Sequence, residues 1–175
     1  MPDDLLQAEA FWRWAYSDFL SNAQRGVLAE YIVAQAAGST GKGRVEWAAW
    51  DLERTDGLKI EVKSSGYLQT WSQQAPSLIK FDIAEKRGWN PEANAYAVEA
   101  SRAADLYVFC VFNHQDRETA NPLDLQQWFF LTCRTEWLTE TFKNQKSVSL
   151  SRLEAAGLKR LSFVELKRVI GNAAS

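Results

Sequence analysis

Cysteine and histidine, which build many metal and catalytic centres, are scarce in this chain. The sequence has two cysteines and one histidine. Cys110 and Cys133 lie in apolar stretches without the spacing of metal ligands, so we expect them to be reduced and buried in the core. His114 follows an apolar run, and we interpret it as a loop residue. The chemistry of this chain is therefore expected to need neither a thiolate nor an imidazole.

Long apolar runs are also absent. No stretch approaches the roughly 20 residues that a helix needs to cross a membrane, and the acidic start Met1-Pro2-Asp3-Asp4 is unlike a signal peptide. We therefore expect a cytoplasmic protein without a membrane partner. Hydrophobic residues make up 46% of the chain, and its eight tryptophans favour a packed α/β globule over disorder. The length suits a single domain over residues 1–175, because no repeat or linker divides it.

Positive charge is not in excess either. The formal net charge is −2, which argues against strong nonspecific attraction of the whole molecule to nucleic acid. The glycine-rich stretch 38–43 lacks the spacing of a phosphate-binding loop and stands between a helix and a strand, so we interpret it as a connector.

Hydrophobic periodicity and turn residues predict a mixed order of helices and strands. Helices are expected over residues 5–19 and 21–37, and strands over 45–54, 58–65, 77–84, 105–112 and 127–132. The run at 105–112 is continuously apolar, which is typical of a strand buried on both faces. Residues 86–102 are expected to be irregular, with a helix toward their end. Ser151…Glu154 and Ser162…Glu165 have the capping-box spacing that begins short helices, here within 151–171.

Ionisable residues are concentrated around one predicted turn. Asp51 stands ten residues before Glu61-Val62-Lys63, and Asp56-Gly57 lies between them. Asp-Gly is a strong hairpin signal, and both flanks have strand-like composition. Two carboxylates and an ammonium are therefore expected on one tight β-hairpin.

The length of this turn decides which side chains share a face of the hairpin. A two-residue turn would place Asp51 opposite Val62 and turn its carboxylate away from Glu61. A three-residue turn, Thr55-Asp56-Gly57, with Gly57 in the left-handed conformation and a bulge, places Asp51 opposite Glu61. Only the second register forms a site, so we predict the three-residue turn.

Directly opposed carboxylates indicate a bound cation. Opposed Cβ atoms lie roughly 4.5–5.5 Å apart, and two like charges at that distance are unfavourable without a cation between them. Oxygen ligands favour Mg²⁺, with Mn²⁺ as a substitute. We predict ligation by Asp51, Glu61 and the backbone carbonyl of Val62. Lys63 shares the face of Glu61, where it would orient or help to deprotonate the attacking water and offset phosphate charge.

Glu30 interrupts a predicted helix that is otherwise apolar over residues 27–34. A carboxylate buried in such a helix is costly unless it is paired or bound to a metal. Glu30 is therefore a further acidic candidate for the site. The alternative is an ion pair with Arg25, Arg44 or Lys63.

Glu30 on a helix, followed by Asp51 and by Glu61-Val62-Lys63 on strands, resembles the PD-(D/E)XK, or restriction-endonuclease-like, nuclease superfamily. The resemblance covers residues 25–71, and the continuation from Lys63 to Trp71 is similar to a bacterial subgroup of it. It implies an αβββαβ core, an α/β fold with a central mixed β-sheet flanked by helices. It also implies metal ligation by Asp51 and Glu61, water activation by Lys63 and a supporting role for Glu30. Trp50 stands where the motif has proline, a position that varies widely in the superfamily.

The resemblance implies a Mg²⁺-dependent nuclease that hydrolyses DNA phosphodiester bonds by in-line water attack, with use in restriction or repair. Cutting both strands of a duplex would favour a homodimer. Ser65 and Gln69, which continue the parity of Lys63 along the strand, are candidate substrate contacts. The alternative is a PD-(D/E)XK fold without activity that serves as a nucleic-acid-binding or protein-interaction module.

Overall fold

The computed structural model describes residues 6–41, 43–44, 48–90, 95–96 and 98–173. Its helices are α1 (Ala8–Tyr16), α2 (Asn22–Ala37), α3 (Thr135–Phe142), α4 (Leu150–Ala155) and α5 (Phe163–Asn172), with a 3₁₀ turn at Leu125–Gln127. Its strands are β1 (Leu52–Glu53), β2 (Lys59–Gly66), β3 (Lys80–Asp82), β4 (Trp89–Asn90), β5 (Ala95–Tyr96), β6 (Leu106–Phe112), β7 (Trp128–Arg134) and β8 (Ser147–Ser149).

A four-stranded mixed sheet forms the centre of the fold, in the order β1-β2-β6-β7. β2 and β6 are parallel, whereas β1 and β7 pair with them in the antiparallel direction. Every residue of β6 is buried, which confirms the prediction of a strand covered on both faces. β3 pairs with β8, and β4 pairs with β5, in two small separate sheets.

Helices cover both faces of the central sheet. One core cluster joins Val62 and Val108 of the sheet to α2 and α5, and a second joins Phe109 to α3, α4 and β3. The expected α/β fold with a mixed sheet flanked by helices is confirmed. The expected order αβββαβ differs between β2 and β6, where the next strand, β3, lies outside the central sheet. In the part of the chain that the structure describes, the connection from β2 to β6 carries β3, β4 and β5 and no helix.

The hairpin between β1 and β2 has the predicted three-residue turn. Arg54 N–H donates to the carbonyl of Leu58 at 2.9 Å, and Gly57 N–H donates to the carbonyl of Arg54 at 2.9 Å. These bonds leave Thr55, Asp56 and Gly57 as the loop. Gly57 has φ +90°, a conformation that favours glycine because it has no Cβ. The left-handed glycine therefore sets the register, as the sequence predicts.

Several predicted boundaries are wrong. β1 contains two residues and Asp51 precedes it, whereas a strand was expected over 45–54; residues 45–47 of that range lie outside the described residues. The helix expected late in 86–102 is replaced, in the described residues, by the β4–β5 pair. Helix α4 is capped by Ser149 and not Ser151, while the capping box of Ser162 is confirmed.

The N-terminal helices differ in how they pack. α2 begins at the side-chain cap of Ser21 and ends at Gly38, which has φ +69°. Its expected burial on most sides is only partly right, because Val27 and Tyr31 are exposed. α1 has no buried residue. Among the described residues, no helix is long and apolar enough to span a bilayer.

Candidate active site

Asp51 and Glu61 lie close together where the β1–β2 ladder ends, and both line one cavity. The ladder pairs Glu53 with Lys59 and Leu52 with Ile60. Asp51 N–H also donates to the Ile60 carbonyl, at 3.1 Å, so the pairing shifts there and does not continue to the predicted Asp51–Glu61 pair. Lys63, two residues further along β2, lies on the face of Glu61, and its Nζ atom is 2.5 Å from Glu61 Oε1. The hairpin therefore brings together the three side chains expected to share a site.

Asp51 is a largely buried carboxylate. Its Oδ2 atom accepts a hydrogen bond from Val62 N–H at 2.7 Å. Burial, and then the negative charge of Glu61, raise the pKa of Asp51 to about 6, although the Val62 hydrogen bond and the Lys63 charge act in the opposite direction. Within the described part of the chain, Asp51 forms no ion pair. Asp51 is thus poised to bind either a proton or a cation.

Glu30 pairs with Arg44, one of the alternative partners that the sequence left open. Arg44 Nε lies 2.6 Å from Glu30 Oε2, and its second nitrogen lies 3.3 Å from Oε1. Arg25 instead donates to the carbonyls of Leu20 and Leu68. Glu30 still influences the site, because its charge contributes to the raised pKa of Asp51.

Two cavities share Asp51 in their lining. The helix-side cavity lies against α2 and is lined by residues that include Val27, Glu30, Tyr31, Trp50 and Asp51. The hairpin-side cavity lies against the β4–β5 pair and has a volume of about 380 Å³. Its lining residues include Asp51, Glu61, Lys86, Arg87, Trp89, Tyr96, Arg102 and Tyr107. A molecule bound in either cavity would contact the Asp51 carboxylate.

A family model described as bacteriophage T4 endonuclease IV matches residues 13–152. The chain belongs to the bacteriophage T4 endonuclease IV family. The match contains Glu30, Asp51, Glu61 and Lys63, so all four predicted catalytic residues lie in the segment shared with this nuclease family. No curated protein shows significant similarity to the chain. The family supports a nuclease and does not by itself assign the chain to the PD-(D/E)XK superfamily.

The oxygen atoms of the site suit a hard divalent cation in this member of the endonuclease IV family. Val62 N–H points to Asp51, and the carbonyl of a strand residue points to the same side as its N–H. The Val62 carbonyl therefore points to the side of β2 on which the Asp51 carboxylate lies. Among the described residues, no three side chains of Asp, Glu, His or Cys form a metal-binding group. A cation held here would have two carboxylates and one carbonyl as protein ligands, and water would complete its coordination.

The two predicted substrate contacts lie beyond these residues on the chain. Ser65 is partly buried on the sheet face of Lys63. Gln69 is 6% exposed, and its amide donates to the Gly66 carbonyl and to Ser77 Oγ, both at 3.1 Å. Gln69 thus stabilises the loop after β2. Their contact with substrate stays a prediction.

The sequence reasoning missed Lys86 and Arg87 as residues of the site. They follow β3 and line the cavity that contains Asp51 and Glu61. The only local signal is a pair of adjacent basic residues, which is ordinary surface composition. Their position depends on how the long connection between β2 and β6 folds back onto the hairpin, and no short sequence motif predicts that conformation.

Proposed function

We propose that this member of the endonuclease IV family is a metal-dependent nuclease that hydrolyses DNA phosphodiester bonds through a PD-(D/E)XK-type site. The observation that carries the proposal is that the carboxylates of Asp51 and Glu61 line one cavity, with Lys63 beside Glu61. Family membership supports the nuclease activity. A structural role alone gives no reason for a buried carboxylate to face a second one.

Asp51, Glu61 and the carbonyl of Val62 would hold Mg²⁺, with Mn²⁺ as a substitute. A bound divalent ion would polarise the phosphate and make its water more acidic. The buried position of Asp51 makes its oxygens a strong ligand once the proton is lost, because few waters compete for the charge.

Lys63 lies beside Glu61, where its ammonium orients the attacking water and offsets the negative charge of the phosphate. In the reaction the water oxygen forms a new bond to phosphorus, and the ester bond on the opposite side breaks. Glu30 acts in a supporting role from α2. The ion pair with Arg44 holds the Glu30 carboxylate near Asp51. The negative charge of Glu30 acts on Asp51 and makes the binding of a cation there more favourable.

Calorimetric titration with Mg²⁺ or Mn²⁺ tests this proposal, on the wild type and on Asp51→Asn. Plasmid and single-strand cleavage is then measured with the same metal. We expect binding that the variant loses, together with metal-dependent cutting. Metal-independent cutting, or cutting that survives in Asp51→Asn, would remove this site from the reaction.

A noncatalytic nucleic-acid-binding or protein-interaction module is the second candidate. The observation that favours it is that Lys63 and Glu30 already have ion-pair partners, Glu61 and Arg44. Such a module would bind DNA without metal uptake or cutting. The titration and cleavage measurements separate the two candidates directly.

A further inference from the structure

The hairpin-side cavity contains positive groups that the proposed reaction has not used. Its lining combines the carboxylates of Asp51 and Glu61 with the basic side chains of Lys86, Arg87 and Arg102. A DNA phosphate approaching two carboxylates is repelled unless positive charge lies nearby. The three basic residues differ in whether their charges are available to a ligand.

Arg102 is fully engaged inside the protein. Its side chain is 2% exposed, and it donates to the carbonyls of Ile83 and Lys143 at 3.0 and 2.8 Å. It also donates to Thr139 Oγ1 at 3.1 Å. Arg102 therefore ties the cavity wall to α3 and has little capacity to bind substrate.

Lys86 and Arg87, in contrast, reach solvent at the cavity. The side chain of Lys86 is 60% exposed, and its Nζ atom lies 3.2 Å from Asp82 Oδ2 in a solvated pair. Burial lowers the pKa of Lys86, but the hydrogen bond with Asp82 and the charges of Asp82 and Glu61 outweigh it and raise that pKa. Arg87 is exposed and has no carboxylate partner among the described residues.

The backbone holds both residues in place. Lys86 and Ser101 exchange two backbone hydrogen bonds of 3.0 Å. Gly88 lies so close to Ala49 that an added Cβ would come within 3.0 Å of the alanine methyl group. Close packing to the segment before Asp51 therefore fixes the distance between the basic pair and the hairpin.

We propose that Lys86 and Arg87 bind the nonbridging oxygens of the DNA phosphate at the cleavage site, so that the substrate backbone lies in the hairpin-side cavity. This inference rests on the proposed nuclease function. Arginine can form two parallel hydrogen bonds to a phosphate, and lysine supplies a compact charge. Their two positive charges offset those of Asp51 and Glu61 on the same cavity.

The test measures DNA affinity as a function of salt concentration, for a labelled duplex and the same strand unpaired. Lys86→Ala and Arg87→Ala are made in the cleavage-deficient Lys63→Ala background, with Mg²⁺ present. Lys167→Ala is the matched control, because Lys167 is exposed on α5, which packs on the other face of the sheet. Asp82→Asn removes the carboxylate that competes for Lys86.

We expect each alanine variant to weaken binding by about three- to tenfold, the order expected for losing a charge-assisted hydrogen bond at a solvated site. Each should also reduce the slope of log affinity against log salt by roughly 0.7 to 0.9. Asp82→Asn should bind DNA at least as tightly as its parent. In the wild-type background the alanine variants should raise KM more than they lower kcat.

Alanine variants that bind like Lys167→Ala, with unchanged salt slopes, would overturn the inference, as would a protein that binds neither form of DNA. Failure of the proposed function looks different: cutting would survive in Asp51→Asn or would never occur. The salt slopes are measured without cutting, so they separate the two outcomes. Unchanged thermal unfolding of each variant confirms that the comparison concerns binding.

Discussion

At the scale of single residues, Asp51 couples the stability of the protein to pH. Its pKa is raised from 3.8 to about 6 on folding, so the folded state holds this proton more tightly than the unfolded state. The associated stabilisation is complete below the unfolded pKa and is lost as pH rises through about 6. The metal-free protein should therefore contain a component of stability that decreases over this interval.

Asp51→Asn should remove that component. At neutral pH we expect the metal-free variant to be more stable than the wild type by on the order of 2 kcal/mol, because it carries no buried negative charge beside Glu61. Chemical denaturation at several pH values in the presence of a chelator measures this difference. Glu53→Gln is the matched control, because Glu53 is an exposed carboxylate on the same hairpin. Lower neutral-pH stability of Asp51→Asn would contradict the unfavourable burial of the Asp51 charge beside Glu61.

Lys63→Ala should reduce cleavage by roughly 10²- to 10⁴-fold, the range for losing a group that acts on proton transfer or charge in the transition state. Metal binding should persist, since its oxygen ligands remain. Single-turnover cleavage and calorimetry on the same preparation measure the two effects. Full cleavage by the variant would remove Lys63 from the mechanism.

The proximity of Asp51, Glu61 and Lys63 was predictable because one hairpin carries them. The position of Gly57 dictates a three-residue turn, and the turn sets the register as far as Leu52 opposite Ile60, next to Asp51 and Glu61. Lys86 and Arg87 were not predictable, because no local rule connects residues after β3 to a hairpin some twenty-five residues earlier. The ion-pair partner of Glu30 also depends on a distant contact. Of the three candidate cations, Arg44 is the one that pairs with Glu30.

At the scale of secondary-structure elements, the β1–β2 hairpin depends on the glycine in its turn. Gly57→Val should destabilise the protein by about 1–2 kcal/mol, because a residue with a Cβ is strained at φ +90°. It should also weaken metal binding if the register shifts. Thermal unfolding and calorimetry measure both effects. Gly41→Val is the control, since Gly41 has no positive φ and, among the described residues, no neighbour within 4 Å of an added Cβ. Equal effects of the two variants would contradict this account.

Elements whose signal lies within their own residues were predicted well. The apolar run of β6 and the capping box at Ser162 are examples. Elements stabilised by distant partners were not. β1 has two residues because its ladder with β2 ends at Leu52. The β4–β5 pair lies where a helix was predicted, and there Trp89 contacts Tyr96 with ring centroids 5.0 Å apart. At α4, Ser149 caps the helix at the end of β8 and Ser151 lies inside it.

At the scale of the whole molecule, the two thiols report on the integrity of the core. Cys110 and Cys133 are free and buried, in the clusters on opposite faces of the sheet. Burial raises the pKa of both thiols, to about 12 for Cys133. We expect neither to react with a thiol reagent in the native protein and both to react after unfolding. Rapid modification under native conditions would show that the core opens locally.

Because β2 pairs with the distant, parallel strand β6, the site assembles late in folding. Lys59 N–H in β2 donates to Asp105, a partner 46 positions further along the chain, at 2.8 Å. β2 carries Glu61 and Lys63 and lies between β1 and β6. Until the connection from β2 to β6 has been synthesised and closed, β2 can therefore pair only with β1. Such distant pairing slows folding because loop closure precedes any gain from contacts. A ribosome-bound chain that ends before β6 would lack an assembled site, so hydrolytic activity would arise only after most of the polypeptide has emerged.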